Sequence, residues 1–343
     1  MVTRKIASMI CVLILSSGCS VYQITGDTMV GYSAEHMIPY LLERDDTDAV
    51  CATGLGLGGF LLSFGRVTDQ PYKAGVVTQL SASTCAEEKV WAAELNYHQA
   101  LKRGDAAGAR DASIIQKRAH QTTATRLYHA YQDVVKAFGE PGGKCPELDG
   151  EWDEMVWLLG MLSAVQGLQH DRAIGGRVDI PMDLPAKAAR GVACLNNERW
   201  WGVPQAIKAA VWTSVPGLAP QGADPWAELS AAVKIGDKRG VQLARAIELK
   251  ALSSGGKTAE VKAAIVSYQE SADQVKRASR WRSLDRMAMI QIRQMSDVIW
   301  MKAKGHRTPF GELGTLPEGE ESGEEDVDDS DDDLLDGMDQ VED

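Results

Sequence analysis

Between Ser33 and Ala303 no stretch alternates apolar and polar residues for long, alanine is plentiful, and runs of β-branched residues are short. A strand needs a period of two and a helix one of 3.6, so this pattern confines the chain to helices. Pro71 opens a segment that runs to Lys102, with Val76, Leu80, Ala92, Leu95 and Leu101 at helical spacings. Gly104-Asp105 breaks it, and Asp105 is a good N-cap for the helix that follows. That helix passes through Ile114, Ile115, Leu127, Tyr131 and Val134 to Phe138, where Gly139-Glu140-Pro141-Gly142-Gly143 ends it. Further helices are expected over Asp149 to Leu168, Pro185 to Asn196 and Pro204 to Val215. Pro225 to Ile235 breaks at a second Gly-Asp turn, Gly236-Asp237, before Lys238 to Leu252. Thr258 to Ala303 supplies two more helices, divided near Ser279.

The expected fold is therefore all-α, built from antiparallel helix pairs. The two Gly-Asp turns with Ala-rich flanks resemble those of tetratricopeptide-like pairs, giving a degenerate repeat array without a strict period. Gly54-Leu55-Gly56-Leu57-Gly58-Gly59 lies inside the apolar stretch Val50 to Phe64. No strand precedes it, so it reads as a buried helix whose glycines admit a close neighbour rather than a phosphate cradle. Ala251 to Thr258 fits a loose phosphate-loop pattern, but a helix precedes it where that mechanism needs a strand. It reads as an inter-helix turn.

At the N-terminus a basic head, Arg4 and Lys5, precedes an apolar run from Ile6 to Leu15 and the small cluster Ser16-Ser17-Gly18, ending on Cys19. These are the parts of a secretory signal, and the apolar run is too short to span a bilayer. A cysteine directly after Ser-Ser-Gly resembles the lipobox of bacterial lipoproteins, with Ser16 where that family usually has Leu. The resemblance implies that the Cys19 thiol is acylated and that Cys19 becomes the first mature residue. Ser20, rather than Asp, then implies the periplasmic face of the outer membrane. The expected organisation is a signal over 1–18, a tether over 19–32, a helical body over 33–316 and a disordered acidic tail over 317–343.

Charge is unevenly spread. The chain carries −12, yet residues 318–343 alone hold fifteen Asp or Glu and no Lys or Arg. The rest is nearly neutral, without a basic field for nucleic acid, and membrane attachment rests on the acyl chains. The tail lacks aromatics and is expected to be disordered. Its Asp326, Asp328, Ser330 and Asp332 imitate a calcium loop, but Asp331 replaces the turn glycine and Gly337 the bidentate Glu.

Four cysteines besides Cys19 survive export: Cys51, Cys85, Cys145 and Cys194. An even number in an oxidising compartment favours disulfides, with three connectivities open. Cys51–Cys85 and Cys145–Cys194 are favoured because each pair stays within one half of the chain. Six scattered histidines form no metal-binding face, and no nucleophile elbow or Cys-His pair is visible. No catalytic residue, metal or cofactor is assigned. Asp153-Glu154 reads as a solvated face, since adjacent residues diverge on a helix.

Trp152, Trp157, Trp200, Trp201 and Trp212 crowd into about sixty residues, around His170-Asp171-Arg172 and Gly175-Gly176-Arg177. Indoles fill gaps between helices, and they also wall ligand cavities. The sharper expectation is a cavity lined by Trp157, Trp200, Trp201 and Trp212, with Arg172 and Arg177 as polar anchors.

Taken together, these features resemble the periplasmic T-component lipoproteins of TRAP-type transporters. The similarity is carried by the Gly-rich helix after Asp46-Thr47-Asp48, by Trp157-Leu158-Leu159-Gly160, and by the last helix with Arg293, Asp297 and Trp300-Met301-Lys302. It implies a helical, oligomeric lipoprotein that acts as an accessory in solute transport, binds a periplasmic solute-binding protein and passes a hydrophobic ligand. The alternative is a helical scaffold for envelope protein assembly without a ligand.

Overall fold

The computed structural model describes residues 18–317 apart from 70, 216 and 273. Residues 1–17, all but the last of the expected signal over 1–18, and the acidic stretch from 318, with its imitation calcium loop, lie outside the described residues. The protein is 75% helical, with no strand or sheet among the described residues.

Helix α1 (Gly18–Tyr32) continues through a π turn, Ser33–Met37, into α2 (Ile38–Leu42). A helix thus occupies the stretch expected to be a tether. The physical reason is a seat on the body: a Cβ at Gly26 would stand 3.2 Å from both Phe64 and Thr68, and the Thr68 hydroxyl donates to Asp27. Val30, Ile38 and Leu42 then bury in turn.

Helix α3 (Thr47–Ser63) starts at an Asp46 cap that accepts from Ala49 N at 2.9 Å. Its glycines divide by face. A Cβ at Gly54 would lie 2.6 Å from the Thr78 carbonyl oxygen, and one at Gly58 3.2 Å from Thr78 Oγ1, whereas Gly56 and Gly59 face open space. The expectation of a buried helix therefore holds for one side only; Leu55, Leu57 and Phe60 on the other are exposed.

The α-hairpin is present as α4 (Tyr72–Lys102) and α5 (Ala106–Phe138). Gly104 turns it with φ +70, and Asp105 caps α5 by accepting from Gly108 N at 2.8 Å. Helix α6 (Gly150–Arg172) is apolar on every side over Met155 to Leu162, all buried, which marks a central helix.

Helices α7 (Leu184–Gly191), α8 (Val203–Ser214), α9 (Pro225–Arg239), α10 (Leu243–Ser254), α11 (Thr258–Ala272) and α12 (Arg282–Lys304) complete the body. The second Gly-Asp pair does not break a helix as expected. Helix α9 runs through it to Arg239 and ends at Gly240, in the left-handed region at φ +75. Gly236 serves packing instead, since a Cβ there would come 2.8 Å from the Val241 carbonyl oxygen. The loose phosphate-loop pattern spans the turn from α10 to α11, where Gly256 has φ +69.

Helix α12 returns to lie along α4. Gln294 Nε2 donates to Trp91 O at 3.3 Å and to Glu94 Oε2 at 3.2 Å, and Lys102 Nζ donates to Lys302 O at 3.1 Å and Ala303 O at 2.8 Å. The main core is centred on α6, and a smaller apolar cluster of Leu249, Leu252, Val261, Ile265, Tyr268 and Ile292 ties α10, α11 and α12 together.

Candidate functional site

The cysteines pair as Cys51–Cys85, with Cα atoms 5.8 Å apart, and Cys145–Cys194, at 5.6 Å. The first fastens α3 to α4. The second ties the loop after α5 to the end of α7.

The tryptophans take a different part from the one expected. Trp157, Trp200 and Trp201 are buried in the main core. Trp157 Nε1 donates to Gly191 O at 2.9 Å, and its ring meets Phe138 edge-on at 5.9 Å. Trp200 Nε1 donates to Glu154 Oε2 at 2.6 Å. Trp200, Trp201 and Trp281 form a cluster of edge-on and tilted rings, their centres 5.0 to 6.0 Å apart. Trp201 holds φ +55, a backbone state that packing on both sides must enforce. Trp212 is half-buried with Lys208 Nζ 5.1 Å over its ring. None of the four lines the principal cavities: Trp157, Trp200 and Trp201 are packed around by their neighbours, and Trp212 is partly turned to solvent.

Arg172, the last residue of α6, and Arg177, on the turn after it, are exposed and also lie outside those cavities. That turn is organised by Asp171, whose carboxylate accepts from Val178 N at 2.7 Å and Ile180 N at 3.0 Å. Asp153-Glu154 is not a solvated face. Asp153 is buried and pairs with Lys73 Nζ at 2.8 Å, while Glu154 turns aside to Trp200 and to Arg199 at 3.1 Å.

The largest of these cavities, about 390 Å³, opens between α4, α5, α6, α10, α11 and α12. Its size is that of a small-molecule pocket. Its lining mixes apolar side chains, Val90, Trp91, Val261, Val298 and Ile299, with charged and polar ones that include Glu87, Glu94, His120, His170, Lys250 and Lys302. Glu87 and His170 are both buried. Lys250 Nζ stands 3.4 Å from Glu87 Oε1, and His170 Nε2 stands 3.6 Å from the same oxygen. His120 Nδ1 and His170 Nδ1 face each other at 2.8 Å. His170 Nε2 has no hydrogen-bond partner, although it is buried.

Electrostatics fix the protonation of this group. Burial alone raises the Glu87 pKa, but Lys250 and His170 outweigh it and hold the carboxyl at about 2. Burial, with His170 and Lys250 beside it, lowers His120 to about 4, and burial lowers His170 as well. At neutral pH Glu87 is ionised and both imidazoles are neutral. Neither Glu87 nor His120 is tuned near neutrality, where proton transfer is most efficient. The arrangement suits recognition by hydrogen bonding. Among the described residues no group of three His, Cys, Asp or Glu is placed to hold a metal.

Sequence reasoning treated these histidines as scattered, since His120 and His170 lie fifty residues apart on α5 and α6. One signal was present: Leu80, Ser83, Glu87 and Val90 share a buried helical face, and a carboxylate on such a stripe needs a partner. Compared with family models, curated proteins and solved structures, the chain shows no significant match to any of them.

Proposed function

We propose that this chain is an exported, lipid-anchored helical protein that holds a small amphiphilic molecule between α4, α5 and α10–α12. Its role is that of a periplasmic accessory in solute transport, working beside a solute-binding protein at the outer membrane. The observation that carries the ligand reading is the cavity of about 390 Å³, whose lining combines apolar side chains such as Trp91 and Ile299 with Glu87, Lys250 and the histidine pair. An apolar body packs on the apolar part of the lining, and a hydrogen-bonding head meets His170 Nε2, one of three buried side-chain polar atoms without a hydrogen-bond partner among the described residues. The signal and lipobox pattern ending at Cys19 support the exported, anchored part.

The test is native mass spectrometry of the full chain, taken from its membrane in mild detergent. A retained small molecule is expected, lost in Lys250→Met and Trp91→Ala proteins that still fold. A bare protein mass, with no change in indole fluorescence across aromatic and medium-chain alcohols, amides and acids, supports the scaffold alternative instead.

A further inference from the structure

We infer that the end of the bundle where α1 crosses α3 is a membrane-contacting surface in its own right, lying on the lipid interface beside the acylated cysteine. Fifteen large apolar side chains stand exposed among the described residues, and ten of them fall between Val21 and Val67. Val21, Tyr22 and Ile24 on α1 expose 59, 69 and 63% of their surface, and Leu55 and Phe60 on α3 expose 51 and 49%. On α3 the exposed residues recur at helical spacing, Ala52, Leu55-Gly56, Gly59-Phe60 and Ser63, as one uninterrupted stripe. Helix α1 is seated on the turn that follows α3, through Gly26 on Phe64 and through the Thr68–Asp27 hydrogen bond. Asp48 is the sole charge on α3 and Asp27 the sole charge on α1; Asp27 is turned to Thr68.

Three observations make a bilayer the occupant. Val21 follows Cys19 by two residues, so acylation delivers this end of the bundle to lipid; this step rests on the anchoring proposed above. The surface is poor in charge, with exposed Asp48 at the start of the α3 stripe and Asp27 on α1, and exposed Tyr22 and Tyr32 on α1 are side chains suited to the headgroup level. Finally, the helix from Thr47 to Arg66 is apolar and long enough to cross a membrane, yet only 28% of its most apolar window is buried. It does not cross: Cys51–Cys85 and the seat of Gly54 on the α4 backbone hold it to the body. A helix held this way lies on the interface with its apolar stripe immersed.

The test uses the mature chain with Cys19→Ser, exported behind an ordinary cleaved signal, and vesicles of phosphatidylethanolamine and phosphatidylglycerol. The unacylated protein is expected to float with the vesicles. Leu55→Gln, Leu57→Gln and Phe60→Gln together should lower the floated fraction roughly tenfold, with far-UV dichroism and melting temperature unchanged. Unacylated protein that stays at the bottom of the gradient overturns the inference. So does a dimer, seen by sedimentation, that the triple variant disperses, because the occupant is then a second copy. The intact mass of the wild-type protein reads acylation separately, so failure of the anchor and failure of the surface are told apart.

Discussion

His120 Nδ1 lies 2.8 Å from His170 Nδ1, so one of these nitrogens carries a proton and the other is bare. The ionised Glu87, 3.6 Å from His170 Nε2, favours a proton on that nitrogen. His170 then accepts at Nδ1 and His120 donates. Nitrogen-15 spectra at pH 7 should show two neutral rings of opposite tautomer, Nδ1–H for His120 and Nε2–H for His170. Two rings of the same tautomer would contradict this assignment.

The same group makes stability depend on acid. His120 titrates at about 4 in the folded protein against 6.5 as its ordinary value, so between those limits the unfolded chain binds a proton that the folded chain refuses. Stability therefore falls as pH drops from 6.5 to 4. Glu87, held at about 2 against 4.5, adds a second loss from 4.5 downwards. Denaturant unfolding at pH 7, 5.5 and 4 should show the first slope, and His120→Gln should remove one proton's share of it. An unchanged slope in that variant would sink the explanation.

Trp157 is fully enclosed and bonded through Nε1 to Gly191 O, whereas Trp212 is half-buried beside Lys208. Trp157→Ala is expected to cost about 3–5 kcal/mol and Trp212→Ala clearly less. Equal losses in equilibrium unfolding would mean that burial at the two positions is not as different as described.

The disulfides close chain segments of 34 and 49 residues. Peptide mapping without reduction should link Cys51 to Cys85 and Cys145 to Cys194. The double variant Cys145→Ser, Cys194→Ser should lose about 2–5 kcal/mol. Four free thiols in the oxidised protein would remove both claims.

Helix boundaries were legible wherever local chemistry decides them. Gly104-Asp105 turns because Gly104 takes positive φ and Asp105 caps the next helix. Gly236-Asp237 looks the same in sequence but is continuous helix, because the missing Cβ serves close packing on Val241 rather than a turn. Only a neighbour distant in sequence or beyond the turn distinguishes such cases. The cavity was hidden for a similar reason. Glu87, His120, His170 and Lys250 come from four helices with no local spacing in common, and only the packing of those helices assembles them. Tryptophan density was visible and drew attention to the core, where large rings are most useful as filling.

Helix α4 also sets a length. Its 31 residues extend about 45 Å at 1.5 Å per residue. Its first turn sits beside Gly65 and the seat of α1, and its last residue, Lys102, binds the carbonyls that end α12. The chain therefore enters the body near one tip of this rod and departs near the other, where Trp300 holds Thr315 shortly before the carboxylate-rich segment begins. Gly26, seated near the first turn of α4, and Thr315, held near its last, are therefore kept about one α4 length apart. The described body is in this respect a rod whose two chain ends are set apart by a single helix.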